Sequence, residues 1–268
     1  MSSAARSRRN EMKEIKEAFL PGLPVDLILS AYRAAPGNEI GSGKFLSPES
    51  SAALAADVFG FFIERAGDFP PLPRLPSLGW PATSVRPEVV VRFPWSGGRH
   101  PCLDALVETR SAIIGVESKR YEPFRPKGSA PLPQAYWRNL WGDSMTGFLH
   151  VRDGLRDGTI KFSRLDARQL LKHAFALRTQ TNRQSYLGKR AVLFYLFAEP
   201  ERWHDGTPVS ASDIAAHRND IRRFAKYVGK DEVSFEHCSY RELLAEWAAS
   251  NCHDVQTHAA AIAARFSV

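Results

Sequence analysis

The chain has 268 residues, with 36 Lys and Arg against 29 Asp and Glu and a formal net charge of +7. That length admits one substantial core, and the basic balance favours polyanions, nucleic acid first, over acidic proteins as partners. Three widely spaced cysteines, Cys102, Cys238 and Cys252, argue against a disulfide framework and fit a reducing, cytoplasmic setting; no apolar run reaches membrane-spanning length, and the basic start at Arg6 to Arg9 leads into charged residues, so neither signal peptide nor membrane partner is expected.

In chain order, residues 4–20 read as an exposed charged helix. Its Arg6, Arg8 and Arg9 are either simply solvated or a phosphate-contacting arm. A second short helix over 25–35 closes at Pro36-Gly37, which sets residues 1–37 apart as an N-terminal helical arm and 38–268 as the main domain. Gly41-Ser-Gly-Lys44 does not have P-loop spacing, because Asn38 stands where the first glycine is needed and Phe45 where Ser or Thr is needed. Ser47 as N-cap and Pro48 at N1 predict a helix through Ile63, apolar after its first turn and therefore buried. Glu49 falls at its start, in line with Ala53, Ala56 and Gly60. The proline-rich segment 69–81 is a stiff connector, and 85–93 reads as a first strand. Glu88 and Arg92 on that strand have simple cross-sheet pairing as their first reading, and His100 is a weaker candidate by its nearness to Asp104.

The stretch Pro101 to Arg120 organises the rest. Residues 102–108 and 112–119 are apolar and β-branched runs without internal proline, joined by a polar turn, and read as a β-hairpin. Period two puts Glu117 and Lys119 on one face and Ser118 on the other. A turn centred on Thr109-Arg110 sets Asp104 diagonal to Glu117; one centred on Arg110-Ser111 sets it directly opposite. Both registers bring Asp104, Glu117 and Lys119 together, with Gly115 leaving room beside them. Two adjacent carboxylates repel unless a cation lies between them, and hard oxygen donors suit Mg²⁺ or Mn²⁺. The plain alternative is ordinary charge at strand ends.

Asp104 followed by Glu117-Ser-Lys119 at the end of the next strand resembles the PD-(D/E)XK nuclease superfamily, with Pro101 three residues ahead of Asp104 rather than beside it. The resemblance spans roughly residues 44–199 as an order of elements. It implies a restriction-endonuclease-like three-layer α/β fold, a central mixed β-sheet flanked by helices. It also implies a divalent-metal-dependent nuclease acting on DNA, with RNA second, in which Asp104, Glu117 and Lys119 are catalytic. Asp104 and Glu117 would hold Mg²⁺ or Mn²⁺. Glu49 would complete the shell, its other reading being a simple complement to the helix dipole. A non-catalytic nucleic-acid- or partner-binding protein on the same fold is the alternative function, and monomer and homodimer both stay open.

Beyond the hairpin, the loop 122–133 with Arg120, Arg125 and Lys127 is either a DNA-contacting segment or a solvated connector. Gln134 is an accessory site candidate at the start of a helix expected over 134–151. Helices follow over 165–181, 210–228, 240–249 and 255–266; strands follow over 190–198, the most uniformly apolar run in the chain, and 232–237. His237-Cys238 and Cys252-His253 lack zinc-ligand spacing.

Overall fold

The computed structural model describes residues 12–126 and 130–268. The helices in chain order are α1 (12–17), α2 (Val25–Ala34), α3 (Ser51–Gly60), α4 (Thr146–Asp157), α5 (Ala167–Thr181), α6 (Ala211–Val228), α7 (Tyr240–Ala248) and α8 (His253–Phe266). Five strands, β1 (Ala82–Val90), β2 (Cys102–Thr109), β3 (Ala112–Lys119), β4 (Arg190–Phe197) and β5 (Val233–Ser239), form one sheet in that spatial order.

The first three strands are an antiparallel meander, while β4 and β5 run parallel to β3. A parallel neighbour cannot be reached by a tight turn, so α4 and α5 intervene before β4, and α6 before β5. Every residue of β4 after Arg190 is buried, which accounts for its unbroken apolar run. Pro87 is tolerated because β1 is an edge strand.

Helices cover both faces, making an α/β fold with a mixed sheet in the middle. One face buries Phe59 and Phe62, Leu243 and Trp247 of α7, and Ile262 of α8. Ile15, Phe19, Ile28 and Leu29 join this same core, so the described part of the N-terminal arm is packed rather than solvated. The other face buries Phe148 of α4, Leu170 and Phe175 of α5, and Phe224 of α6. Arg6, Arg8 and Arg9 lie outside the described residues. Among the described residues, no helix is long and apolar enough to cross a membrane.

Two sequence expectations are corrected. Helix α3 begins at Ser51, with Ser50 as N-cap accepting from the Ala53 amide at 3.1 Å. The Ser47-Pro48 pair follows a 3-10 turn, Lys44–Leu46, so Glu49 lies in the lead-in and not in the helix. Residues 134–151 are not one helix either: 3-10 turns at Gln134–Trp137 and Asp143–Met145 precede α4. The Tyr136 carbonyl that a helix ladder would use instead accepts from the Trp141 indole and the Arg152 guanidinium, each at 2.9 Å. Gly142, at φ 69°, then turns the chain out of helical conformation.

Candidate active site

Thr109 fixes the hairpin register. Its buried hydroxyl oxygen accepts from the Ala112 amide at 3.0 Å and donates to the Leu78 carbonyl, which centres the turn on Arg110-Ser111. The pairs Ala105–Val116, Leu106–Gly115, Val107–Ile114 and Glu108–Ile113 follow, and of the two expected registers this one sets Asp104 level with Glu117. The ladder ends at Ala105. There the Asp104 carboxylate replaces a strand carbonyl and accepts from the Ser118 amide at 2.6 Å. Ser118 turns its hydroxyl to the opposite face, 2.6 Å from the Tyr240 hydroxyl.

Gly115 does not leave room for a ligand. A Cβ there would lie 2.8 Å from Leu103 and 2.9 Å from Leu177, so the missing side chain lets α5 approach the sheet.

Asp104 and Lys119 line a cavity of about 470 Å³ together with Glu49, Glu88, Glu122 and Arg125. Glu117 lies behind this wall, 1 % exposed, with Oε1 paired to the Lys119 ammonium and Oε2 2.9 Å from His173 Nε2. Both contacts are close but bent, and neither oxygen has a well-aligned hydrogen bond. Burial alone would raise the Glu117 pKa; Lys119 and His173 outweigh it and hold the group well below the usual carboxylate range. Asp104 goes the other way: burial first, then the charge of Glu117, pushes its pKa well up. Lys119 is also desolvated, yet Glu117, Glu122 and Asp104 together hold its ammonium firmly protonated.

Two flanking acids belong to this group. Glu122 accepts from Ser51 and from the Arg120 amide at 2.8 Å; against its burial, Lys119 and these donors keep its pKa low. Glu88 lies between the pairs Pro87–Ala105 and Val89–Leu103, level with Asp104 on the neighbouring strand. Burial raises its pKa to about 7, and the Cys102 thiol donates to it at 3.3 Å. Its φ of 51° is a conformation that a glutamate adopts at a cost of order 1–3 kcal/mol.

The expected three-carboxylate set is not assembled. Glu49 lines the cavity but its carboxylate is held by Arg125 and by the His204 amide at 3.1 Å. Among the described residues, no three His, Cys, Asp or Glu side chains converge as metal ligands. Lysine and arginine of the chain stand beside the carboxylates as counter-ions instead. The donor chemistry fits Mg²⁺ or Mn²⁺, which take one or two carboxylates and complete their shell with water: Asp104 on the cavity wall and the poorly aligned oxygens of Glu117 behind it would be that pair.

The expected DNA contacts divide. Arg120 is 5 % exposed and donates to the Pro48 and Phe266 carbonyls at 2.6 Å each, so it ties the lead-in of α3 to the end of α8 and is not placed to meet phosphate. Arg125 is half exposed at the cavity edge. Lys127 lies outside the described residues. Gln134 stands exposed on its 3-10 turn, away from the cavity wall, and the glutamine that does line it is Gln169 on α5. His100 accepts from the Phe93 amide at 3.1 Å, a link within the connection between β1 and β2.

Sequence reasoning missed His173, Gln169 and Glu122. Gln169 and His173 are four residues apart, one turn of α5, a helix whose existence the pattern did reveal; that this turn crosses the end of β3 depends on the crossover geometry. No protein-family model, curated protein or solved structure matches the chain. The functional reading therefore stands on this geometry and on the chain's charge.

Proposed function

We propose that this chain is a divalent-metal-dependent nuclease that hydrolyses phosphodiester bonds in DNA, on a restriction-endonuclease-like core of the PD-(D/E)XK type. The observation that carries the reading is the meeting of Asp104, Glu117 and Lys119 at the adjacent ends of β2 and β3, beside an open cavity. The succession of α3, β1, β2, β3, α4, α5 and β4 supports the fold assignment, and the net charge of +7 supports a polyanionic substrate.

Asp104 and Glu117 would hold Mg²⁺ or Mn²⁺, which when bound supplies an acidified water and offsets charge on the phosphate. Lys119, released in part from Glu117, would donate an N–H hydrogen bond to the non-bridging oxygen on which charge develops as the water oxygen bonds to phosphorus, one of its protons passing to solvent, and the P–O ester bond breaks, its leaving oxygen taking up a proton from solvent. His173 and Ser118 hold the two carboxylates in place from opposite sides, through Glu117 Oε2 and Asp104 Oδ2. Arg125 at the cavity edge binds a flanking phosphate.

The test is incubation of purified protein with plasmid, linear and single-stranded DNA in Mg²⁺, Mn²⁺ or EDTA. Cleavage that stops in EDTA and in Asp104→Asn supports the reading. Salt-sensitive binding without cleavage in any metal points instead to a non-catalytic nucleic-acid-binding protein.

A further inference from the structure

Resting on that nuclease reading, we infer that His173 is a positioning residue of the cation site, acting through Glu117. Its imidazole enters from α5, an element remote in sequence from the hairpin, and it is 1 % exposed. Nε2 faces Glu117 Oε2 at 2.9 Å while Oε1 faces Lys119, so the two contacts take the two oxygens from different sides. A carboxylate opposite Nε2 requires the proton on that nitrogen. Nδ1 is buried and without a hydrogen-bond partner among the described residues.

The ring thus has one polar contact, and that contact is to the carboxylate. A histidine kept only to fill space between α5 and the sheet would be replaced by an apolar side chain without leaving a polar atom orphaned; this one has Nδ1 orphaned already. The arrangement accepts an unsatisfied nitrogen in order to put Nε2–H against Glu117. It anchors Oε2 and leaves Oε1 as the oxygen that exchanges Lys119 for a metal ion. Partners of this kind, donating to a ligand carboxylate from behind, typically change metal affinity or activity by about 10–100-fold when removed.

The decisive comparison is His173→Gln against His173→Asn, because a glutamine amide reaches the Nε2 position and an asparagine amide stops near Nδ1. Mn²⁺ binding to the full chain is measured by calorimetry, with thermal unfolding of each variant recorded in parallel. His173→Asn is expected to raise the Kd for Mn²⁺ by about 10–100-fold, and His173→Gln to restore it to within a few-fold of wild type, whatever the two do to stability. Equal Mn²⁺ affinity in wild type and both variants would overturn the inference while leaving the nuclease reading in place. So would equal loss in both variants, since space-filling and not the donor would then matter. Absence of Mn²⁺ binding in wild type removes the cation site and this inference with it.

Discussion

Two buried assemblies of acid, base and histidine among the described residues are built for different ends. In the helix layer, Asp57 of α3 pairs with Arg265 of α8 at 2.9 Å, and His258 Nε2 meets the Asp57 carbonyl at 3.0 Å with its ring stacked on Phe61 at 4.0 Å. One acid meets one permanent cation there, and the guanidinium also reaches the Ala18 carbonyl, so the cluster ties the end of α1 to α8. At the end of the hairpin, Glu117, Asp104, Glu122 and Glu88 gather around Lys119 beside a cavity. The first is a balanced lock. In the second, burial and crowding push Asp104 and Glu88 toward their protonated forms, an imbalance that a bound cation would relieve.

The largest expected effect separates the two clusters by activity. Lys119→Ala should lower DNA cleavage by about two to four orders of magnitude, the removal of a few kcal/mol of transition-state stabilisation at ~1.4 kcal/mol per tenfold. DNA affinity in a gel shift should survive, since one charge among many carries little of the binding. An ordinary strand-end lysine, the plain alternative in the sequence, would cost almost nothing to remove. Enclosure among three carboxylates instead predicts a loss of stability in EDTA of about 3–5 kcal/mol, read from denaturant unfolding. A variant that cuts at near-normal rate would falsify the catalytic assignment.

Next in size, Arg265→Ala should cost about 3 kcal/mol of stability by stranding Asp57, several degrees in Tm, while cleavage per folded molecule stays at the wild-type value. Equal loss of activity and stability would erase the distinction between lock and site.

The lock also has its own pH signature. Burial, only partly offset by Arg265, raises the Asp57 pKa from 3.8 to about 7. Between those values the folded state keeps a proton that the unfolded state has released, so this contribution to stability is full below about pH 4 and is lost as pH rises through 7. Asp57→Asn should flatten that part of the metal-free stability profile; an unchanged slope would show that Asp57 is ionised throughout.

The smallest effects lie at the cavity edge. Because Glu49 is occupied by Arg125 and the His204 amide, Glu49→Gln should change cleavage by about tenfold or less, and Gln134→Ala should change neither rate nor stability, as followed by initial rates and thermal melts. A thousandfold loss in Glu49→Gln would make it a full member of the site.

What the sequence made legible follows from the range of each signal. Strands β2 and β3 and the shared face of Glu117 and Lys119 depend on period-two patterning and were readable to within a residue. The register was readable only as two alternatives, because the choice rests on Thr109 bonding to Leu78, a contact with a distant connector. Helix α3 was placed three residues early because Ser47 and Ser50 are both good caps, but only Ser50 accepts from the amide three residues on, at 3.1 Å, while Ser47 accepts from the Glu49 amide at 3.4 Å ahead of the helix. Residues 134–151 were read as one helix that Trp141 and Gly142 in fact interrupt, and Gln169, which lines the cavity from α5, was not singled out. His173 carried no local mark at all: its role comes from a helix crossing the sheet some fifty residues after the strand it serves.

Thermal unfolding of wild type and Asp104→Asn in EDTA and in millimolar Mg²⁺ decides whether the acids around Lys119 bind a divalent cation. Removing one of the repelling charges should raise the Tm of Asp104→Asn above wild type in EDTA, by a few degrees for each kcal/mol relieved. Mg²⁺ should raise the Tm of wild type, by an amount growing with concentration as expected for a ligand of the folded state, and leave the variant unmoved. A variant less stable than wild type in EDTA, together with a wild-type Tm indifferent to Mg²⁺, would contradict the account.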